Sequence, residues 1–139
     1  MAQSVTGVLE QMDEKHVKVT LTWQSAADGS VSQALGGLDY DWLNVLRGMY
    51  LVKMVTDPGS AAPTDDYDIT LLDDDGLDVL GGAGGNRDTA NNEVAHPTPD
   101  GSNINLDIAG PIDGDLDLTI ANAGDTKTGV VKLIFRRMP

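Results

Sequence analysis

The 139-residue sequence contains no cysteine, which excludes a disulfide framework and thiolate chemistry. It has no long apolar run that would predict a membrane span, and its N-terminus lacks the basic and apolar regions of a secretory signal. Basic residues are scarce, with 9 Lys and Arg against 22 Asp and Glu, for a formal net charge of −13. Such an acidic chain repels phosphate backbones and anionic lipids, so neither nucleic acids nor membranes are expected partners.

Alternation of apolar and polar residues is the main pattern in the sequence. Between His16 and Gln24, every second residue is apolar, which predicts a strand with one buried face. Further strands are predicted at Val5–Met12, Met49–Thr56, Tyr67–Leu72, Leu77–Leu80, Asn103–Ile108, Leu116–Ile120 and Val130–Phe135. The Asp-Gly pair at 75–76 predicts a hairpin turn between two of them. Trp23 and Phe135 fall on the apolar faces and are expected in the core.

These strands predict an all-β fold: one β-sandwich domain over residues 1–139, jelly-roll-like, with about eight strands. The largest piece without a predicted strand is a Gly-, Asn- and Pro-rich loop at 81–101, and loops of this length are commonly functional. This loop and the segment before Val5 are the two candidates for extended arms that add a strand to a neighbouring sheet.

Eight aspartates lie between Asp57 and Asp78, a segment without Lys or Arg. Closely spaced carboxylates suit Ca²⁺, but the EF-hand pattern fails. With Gly76 at the sixth loop position, the first and twelfth positions are Leu71 and Gly82, which offer no side-chain ligand. The favoured interpretation is a solvated hairpin turn with outward strand faces, and the alternative is an opportunistic cation site. No metal ligand or cofactor is assigned.

No complete catalytic motif is present. The glycines at 81–85 match neither phosphate-binding pattern, because the chain has no Gly-Lys pair and Arg87 occupies the third glycine position of G-x-G-x-x-G. His16 and His96 belong to no recognisable triad, no serine lies in a G-x-S-x-G elbow, and both histidines are expected on the surface. An enzyme is not expected, although a small hydrolase using paired carboxylates stays a remote alternative.

Five residues are candidates for an interface. Tyr40 and Trp42 follow a Gly-Gly junction. Core packing is the favoured interpretation for both, and the alternative is that they anchor a partner or stack a sugar. Arg136 and Arg137 belong to a basic C-terminus that either pairs with the protein's own acidic face or docks on an acidic surface. Arg87, in the long loop, completes the set.

Two long stretches, Thr56–Leu71 and Asp73–Ala90, resemble small virion structural proteins of tailed bacteriophages. The strand ending in Thr22-Trp23 and the closing Gly129–Arg136 strand are similar in kind. Among phage β-proteins of this size, capsid decoration (cement) proteins are the natural comparison. The resemblance is one of pattern and carries no active-site residues.

The resemblance implies a structural protein without catalysis, made in the host cytoplasm and located on the outer capsid surface of the virion. Its implied partners are the major capsid protein and further copies of itself, expected as a homotrimer that bridges capsid subunits. Two alternatives stay open: a neck or tail component of the virion, and a Ca²⁺-dependent carbohydrate-binding module that stacks sugars on Tyr40 and Trp42.

Overall fold

The computed structural model describes residues 2–38, 45–97, 112 and 114–137. Eight strands lie within these ranges, and they form two antiparallel sheets packed as a sandwich. In the described part of the chain, no helix is long and apolar enough to span a membrane. The strands are β1 (Ser4–Gln11), β2 (His16–Gln24), β3 (Val31–Ala34), β4 (Met49–Pro58), β5 (Asp68–Leu72), β6 (Glu93–Ala95), β7 (Asp117–Ala121) and β8 (Thr128–Arg137).

The strand order is β1-β2-β8-β4-β6 in one sheet and β3-β7-β5 in the other. From β2 onward, successive strands therefore alternate between the two sheets. Strands that stand the same number of strands before and after β5 pair with each other: β4 with β6, β3 with β7, and β2 with β8. The chain is thus one long antiparallel hairpin wound into a roll, with β1 added at an edge. The predicted all-β, jelly-roll-like sandwich of about eight strands is confirmed.

The tip of this long hairpin is the turn after β5. Asp73 N–H donates to the carbonyl of Leu77, and Gly76 closes the turn at a φ of 78°, a value that favours glycine. The predicted turn is therefore present, but Leu77–Leu80 is not a strand. The carboxylate of Asp78 accepts the backbone N–H groups of Leu71, Leu80 and Gly82, and this side chain replaces the regular ladder.

Residues 78–87 lie along the outer edge of β5. Val79 N–H donates to Leu71 O, Ile69 N–H to Gly84 O, and Arg87 N–H to Tyr67 O, at 2.7–2.9 Å. A Cβ at Gly84 would overlap the carbonyl oxygen of Ile69, so this close approach requires glycine.

The glycine-rich segment is therefore not an extended arm, and the same loop contributes β6 to the five-stranded sheet. Residue 3, in the other candidate arm, is also held on the sandwich, because the Gln3 side chain binds the backbone of Ser32. The predicted strand at 103–108 lies outside the described residues.

The core lies between the two sheets. Alternate residues of β2 and β8 face inward, and the burial pattern of β2 follows the predicted alternation. Trp23 is 1 % exposed and Phe135 is fully buried, which confirms the expectation for both. The Trp23 ring contacts that of Tyr67, with centroids 5.9 Å apart. A core of this kind holds both sheets rigidly and leaves their outer faces free for other roles.

Candidate functional site

The outward face of the five-stranded sheet collects basic residues. In the strand register, Lys18 of β2 lies opposite Ile134 of β8, which in turn lies opposite Lys53 of β4. Lys132 and Arg136 lie on the same face of β8, because they alternate with the inward-facing, fully buried Leu133 and Phe135. Four of the nine basic residues thus share one surface, which we call the cationic face: Lys18, Lys53, Lys132 and Arg136.

The cationic face is poorly neutralised from within the chain. It carries two carboxylates, Glu10 and Asp57, which the register places on the same side. Glu10 approaches Lys18 to 4.0 Å. Within the described ranges, no carboxylate lies within 4.0 Å of Lys53, Lys132 or Arg136. The face is therefore locally positive on a protein whose net charge is −13.

The cationic face also has apolar content. Ile134 is 8 % exposed although its side chain points away from the core. Its register neighbours are Lys18 and Lys53. Lysine side chains commonly cover neighbouring apolar surface with their aliphatic stems while the ammonium group stays in water. Val55 and Val94 lie side by side on β4 and β6, and Val94 is 54 % exposed. A surface with apolar patches between separated cations suits an acidic protein surface.

The opposite face of the sandwich has the other sign. The outward positions of β3, β5 and β7 include Asp68 and Asp117, and none of these positions holds Lys or Arg. The aspartates at the tip of the roll flank this sheet. The two broad surfaces therefore differ in charge, because among the described strands only those of the five-stranded sheet contain Lys or Arg.

The aspartate side chains at the tip accept hydrogen bonds from backbone N–H groups. Asp73 Oδ1 accepts the N–H groups of Asp75 and Leu77 at 2.9 Å, as in an Asx-turn. Asp68 accepts from the N–H of Asn86 and the side-chain amide of Asn122. Over the described residues, no group of three or more His, Cys, Asp or Glu side chains is arranged to hold a metal ion. This arrangement favours the turn interpretation of the cluster.

The predicted interface residues fall in different places. Arg136 and Arg137 end β8 and are exposed, and no ion pair within the described ranges involves either. The Arg87 side chain is 12 % exposed, donates to Gly85 O, and lies 3.9 Å from Glu93. Arg87 thus fastens the loop to the sandwich and leaves little surface for a partner. Tyr40 and Trp42 lie outside the described residues.

His16 and Asp13 form a close pair in a shallow depression of the β1–β2 turn. His16 Nδ1 lies 3.0 Å from Asp13 Oδ1, which also accepts the backbone N–H groups of Lys15 and His16. These hydrogen bonds, that of Lys15 first, lower the pKa of the Asp13 carboxyl below its ordinary value of 3.8. The pair shapes the β1–β2 turn. Both histidines were expected on the surface: His16 is partly exposed, and His96 is exposed in a different part of the molecule.

The cationic face could not be predicted from the sequence alone. Lys18, Lys53 and Lys132 each alternate with apolar residues in a predicted strand, so their outward orientation is visible in the sequence. Their proximity depends on β8 pairing between β2 and β4, and this pairing joins segments about a hundred residues apart. Period-two patterns carry no information on strand order.

A scan of the chain against protein-family models finds no match, and searches of curated proteins and of solved structures find none either.

Proposed function

We propose that the protein is a structural, non-catalytic component of a tailed-phage virion, and specifically a capsid decoration protein. In this role it binds the outer head surface through its cationic face and bridges neighbouring subunits of the major capsid protein. The observation that carries the binding part of the proposal concerns three cations on one sheet of an otherwise acidic molecule: within the described ranges, Lys53, Lys132 and Arg136 have no carboxylate within 4.0 Å. The resemblance of residues 56–90 to virion proteins supports the location.

The size of the cationic face bears on how the protein would bind. Five strands about 4.8 Å apart, each with about eight residues rising 3.3 Å, give roughly 600 Å². A standard protein–protein interface buries about 800 Å² on each partner, so one copy of this face makes a weak contact. Many copies on a symmetric lattice gain strength from multivalency, which suits decoration of a shell better than a single soluble encounter.

Charge complementarity supplies the specificity in this scheme. The acidic remainder of the molecule repels an acidic capsid surface, so docking is favourable in one orientation, with the five-stranded sheet inward. The acidic three-stranded sheet then faces solvent and keeps the assembled particle soluble. Jelly rolls occur in viral shells and in lectins alike, so the proposal rests on this surface and on the resemblance, and not on the fold.

The first test is the copy number in purified virions of the virus that encodes the chain, measured by quantitative mass spectrometry against the major capsid protein. A ratio near one copy per capsid subunit supports decoration. A ratio corresponding to about a dozen copies per particle moves the protein to the neck or tail, where few copies encircle one axis. Its absence from virions overturns the proposal.

The second test addresses the face itself. Heads that lack the protein are titrated with purified wild type, Lys132→Glu and Lys127→Glu. Lys127 lies in the turn before β8, away from the cationic face. Both variants replace a lysine with a glutamate, so they change the net charge equally. We expect Lys132→Glu to weaken binding at least tenfold and Lys127→Glu to bind like wild type, with wild-type binding falling as salt is added. Equal loss in both variants would show that net charge matters and the face does not.

A further inference from the structure

Exposed sheet edges attract further strands, and three of the four edges in the described sheets are protected. Residues 78–87 cover β5. The Gln3 side-chain amide accepts from Ser32 N–H at 2.8 Å and donates to Ser32 O at 2.6 Å, which occupies the edge of β3. Strand β6 is only three residues long, and buried Pro97 follows it closely.

The fourth edge, strand β1, has none of these protections. Its eight residues pair with β2 in one unbroken register, without a bulge. Among the described residues, backbone hydrogen bonds join β1 to no strand other than β2. It contains no proline, lysine or arginine, and its one charged residue, Glu10, is directed toward Lys18. Val8 is 55 % exposed on this strand. Among the described residues, strand β1 is therefore a long edge with regular pairing to β2 and no strand on its other side, which makes it a template for pairing.

We infer that β1 pairs with β1 of a second copy, antiparallel about a two-fold axis, and joins the two five-stranded sheets into one. The two registers that pair the most residues while keeping core-facing positions together are centred on Gly7 and on Val8. In the first, Glu10 faces Ser4 of the second copy, and in the second it faces Thr6. Neither register places like charges opposite each other, and both bring apolar residues together across the axis.

The distribution of charge favours β1 as the place where a second copy binds. Two molecules of net charge −13 repel each other, and the electrostatic repulsion between them is smallest where the contacting surfaces carry few charged residues. Strand β1 has one charged residue in eight, whereas the tip of the roll is rich in aspartate. A two-fold axis normal to the sheet keeps both outward faces on the same side. If the proposed function holds, the pair presents two coplanar cationic faces, roughly 1,200 Å² in all.

The test uses the purified full chain and is independent of any virion. Sedimentation analysis of wild type up to about 100 µM is expected to show a dimer that persists in about 0.5 M NaCl, because strand pairing is weakly screened. Val8→Lys places a cation on the edge and is expected to weaken dimerisation at least tenfold. The matched control is Val94→Lys, which introduces the same charge at an equally exposed valine of β6 and is expected to dimerise like wild type.

A second measurement needs no substitution. Amide hydrogen exchange in residues 4–11 is expected to slow as wild-type concentration rises, while exchange in the 78–87 segment stays unchanged. A wild-type monomer across the concentration range overturns the inference, as does a Val8→Lys dimer as stable as wild type. A trimer, the state that the resemblance implies, overturns it too. Failure here leaves the proposed function intact, because head binding by the cationic face is measured separately.

Discussion

Replacing Gly84 with alanine tests the packing of the glycine-rich segment against β5. The added Cβ would overlap Ile69 O, and it would also lie 3.1 Å from Leu80 Cδ1. The backbone at this point must retreat by about 1 Å to restore a normal carbon–oxygen contact. That retreat breaks the 2.9 Å hydrogen bond from Ile69 N–H to Gly84 O and leaves a donor next to the core without its partner.

The magnitude follows from these two effects. An unsatisfied buried donor costs about 1–3 kcal/mol, and overpacking adds about 1–3 kcal/mol. The reduced freedom of the unfolded chain returns about 0.4–1 kcal/mol. We therefore expect Gly84→Ala to lower the free energy of unfolding by about 1–5 kcal/mol. With a urea m-value of about 2 kcal/mol/M, the midpoint falls by about 0.5–2.5 M.

The neighbouring glycine supplies the control. A Cβ at Gly85 would meet its nearest atoms, Asp68 Oδ1 and Gly82 O, at an ordinary 3.6 Å. We expect Gly85→Ala to change the free energy of unfolding by less than about 1 kcal/mol. A small increase is expected, because alanine reduces the conformational freedom of the unfolded chain. Both variants are compared with wild type in urea at 25 °C by tryptophan fluorescence, since Trp23 is buried in the core. Equal midpoints for the two variants would refute the claim that residues 78–87 are packed on the edge of β5.

Three further outcomes are expected. Phe135→Ala removes a fully buried ring from the central strand and should cost about 3–5 kcal/mol in urea unfolding, and a cost below about 1 kcal/mol would contradict its place in the core. Backbone hydrogen bonding, chiefly from Lys15 N–H, lowers the pKa of Asp13 below 3.8, so its contribution to stability is present above pH 4 and is lost as the pH falls through the lowered pKa. Thermal melting between pH 2 and 6 should show this loss, and Asp13→Asn should reduce it. Millimolar Ca²⁺ should leave the wild-type Tm unchanged, because the carboxylates of Asp73 and Asp78 already accept hydrogen bonds from backbone N–H groups. A clear rise in Tm would instead support a cation site at this cluster.

The strongly alternating strands could be predicted from the sequence almost to the residue. Strand β2 has the predicted bounds, His16–Gln24, because four apolar residues alternate with polar ones and a turn precedes them. Strands β3 and β6 were missed, because four and three residues are too few to show a period of two. The prediction for Leu77–Leu80 was wrong, since an aspartate side chain captures the amides that a ladder would need.

The candidate site was less predictable than the fold. The exposed C-terminal end of β8 could be predicted from its basic residues, and Arg136 does lie on the cationic face. The rest of that face depends on which strands are neighbours, a long-range property that local patterns do not encode. Arg87 was one of the predicted interface residues, and nothing in the sequence indicated that its guanidinium donates to Gly85 O within the chain.

The centre of each sheet is built from the end of the described chain. Strand β8 lies between β2 and β4, and β7 lies between β3 and β5. During synthesis, the β1–β2 hairpin and β4 emerge long before the segment that joins them, so neither sheet can close on the ribosome until residues 117–137 are available. Folding is therefore expected to be slow, as for other non-local β topologies. A nascent chain arrested before β7 would leave β2 and β4 without their neighbour β8, and β3 and β5 without their neighbour β7. Such chains are expected to aggregate or to require a chaperone.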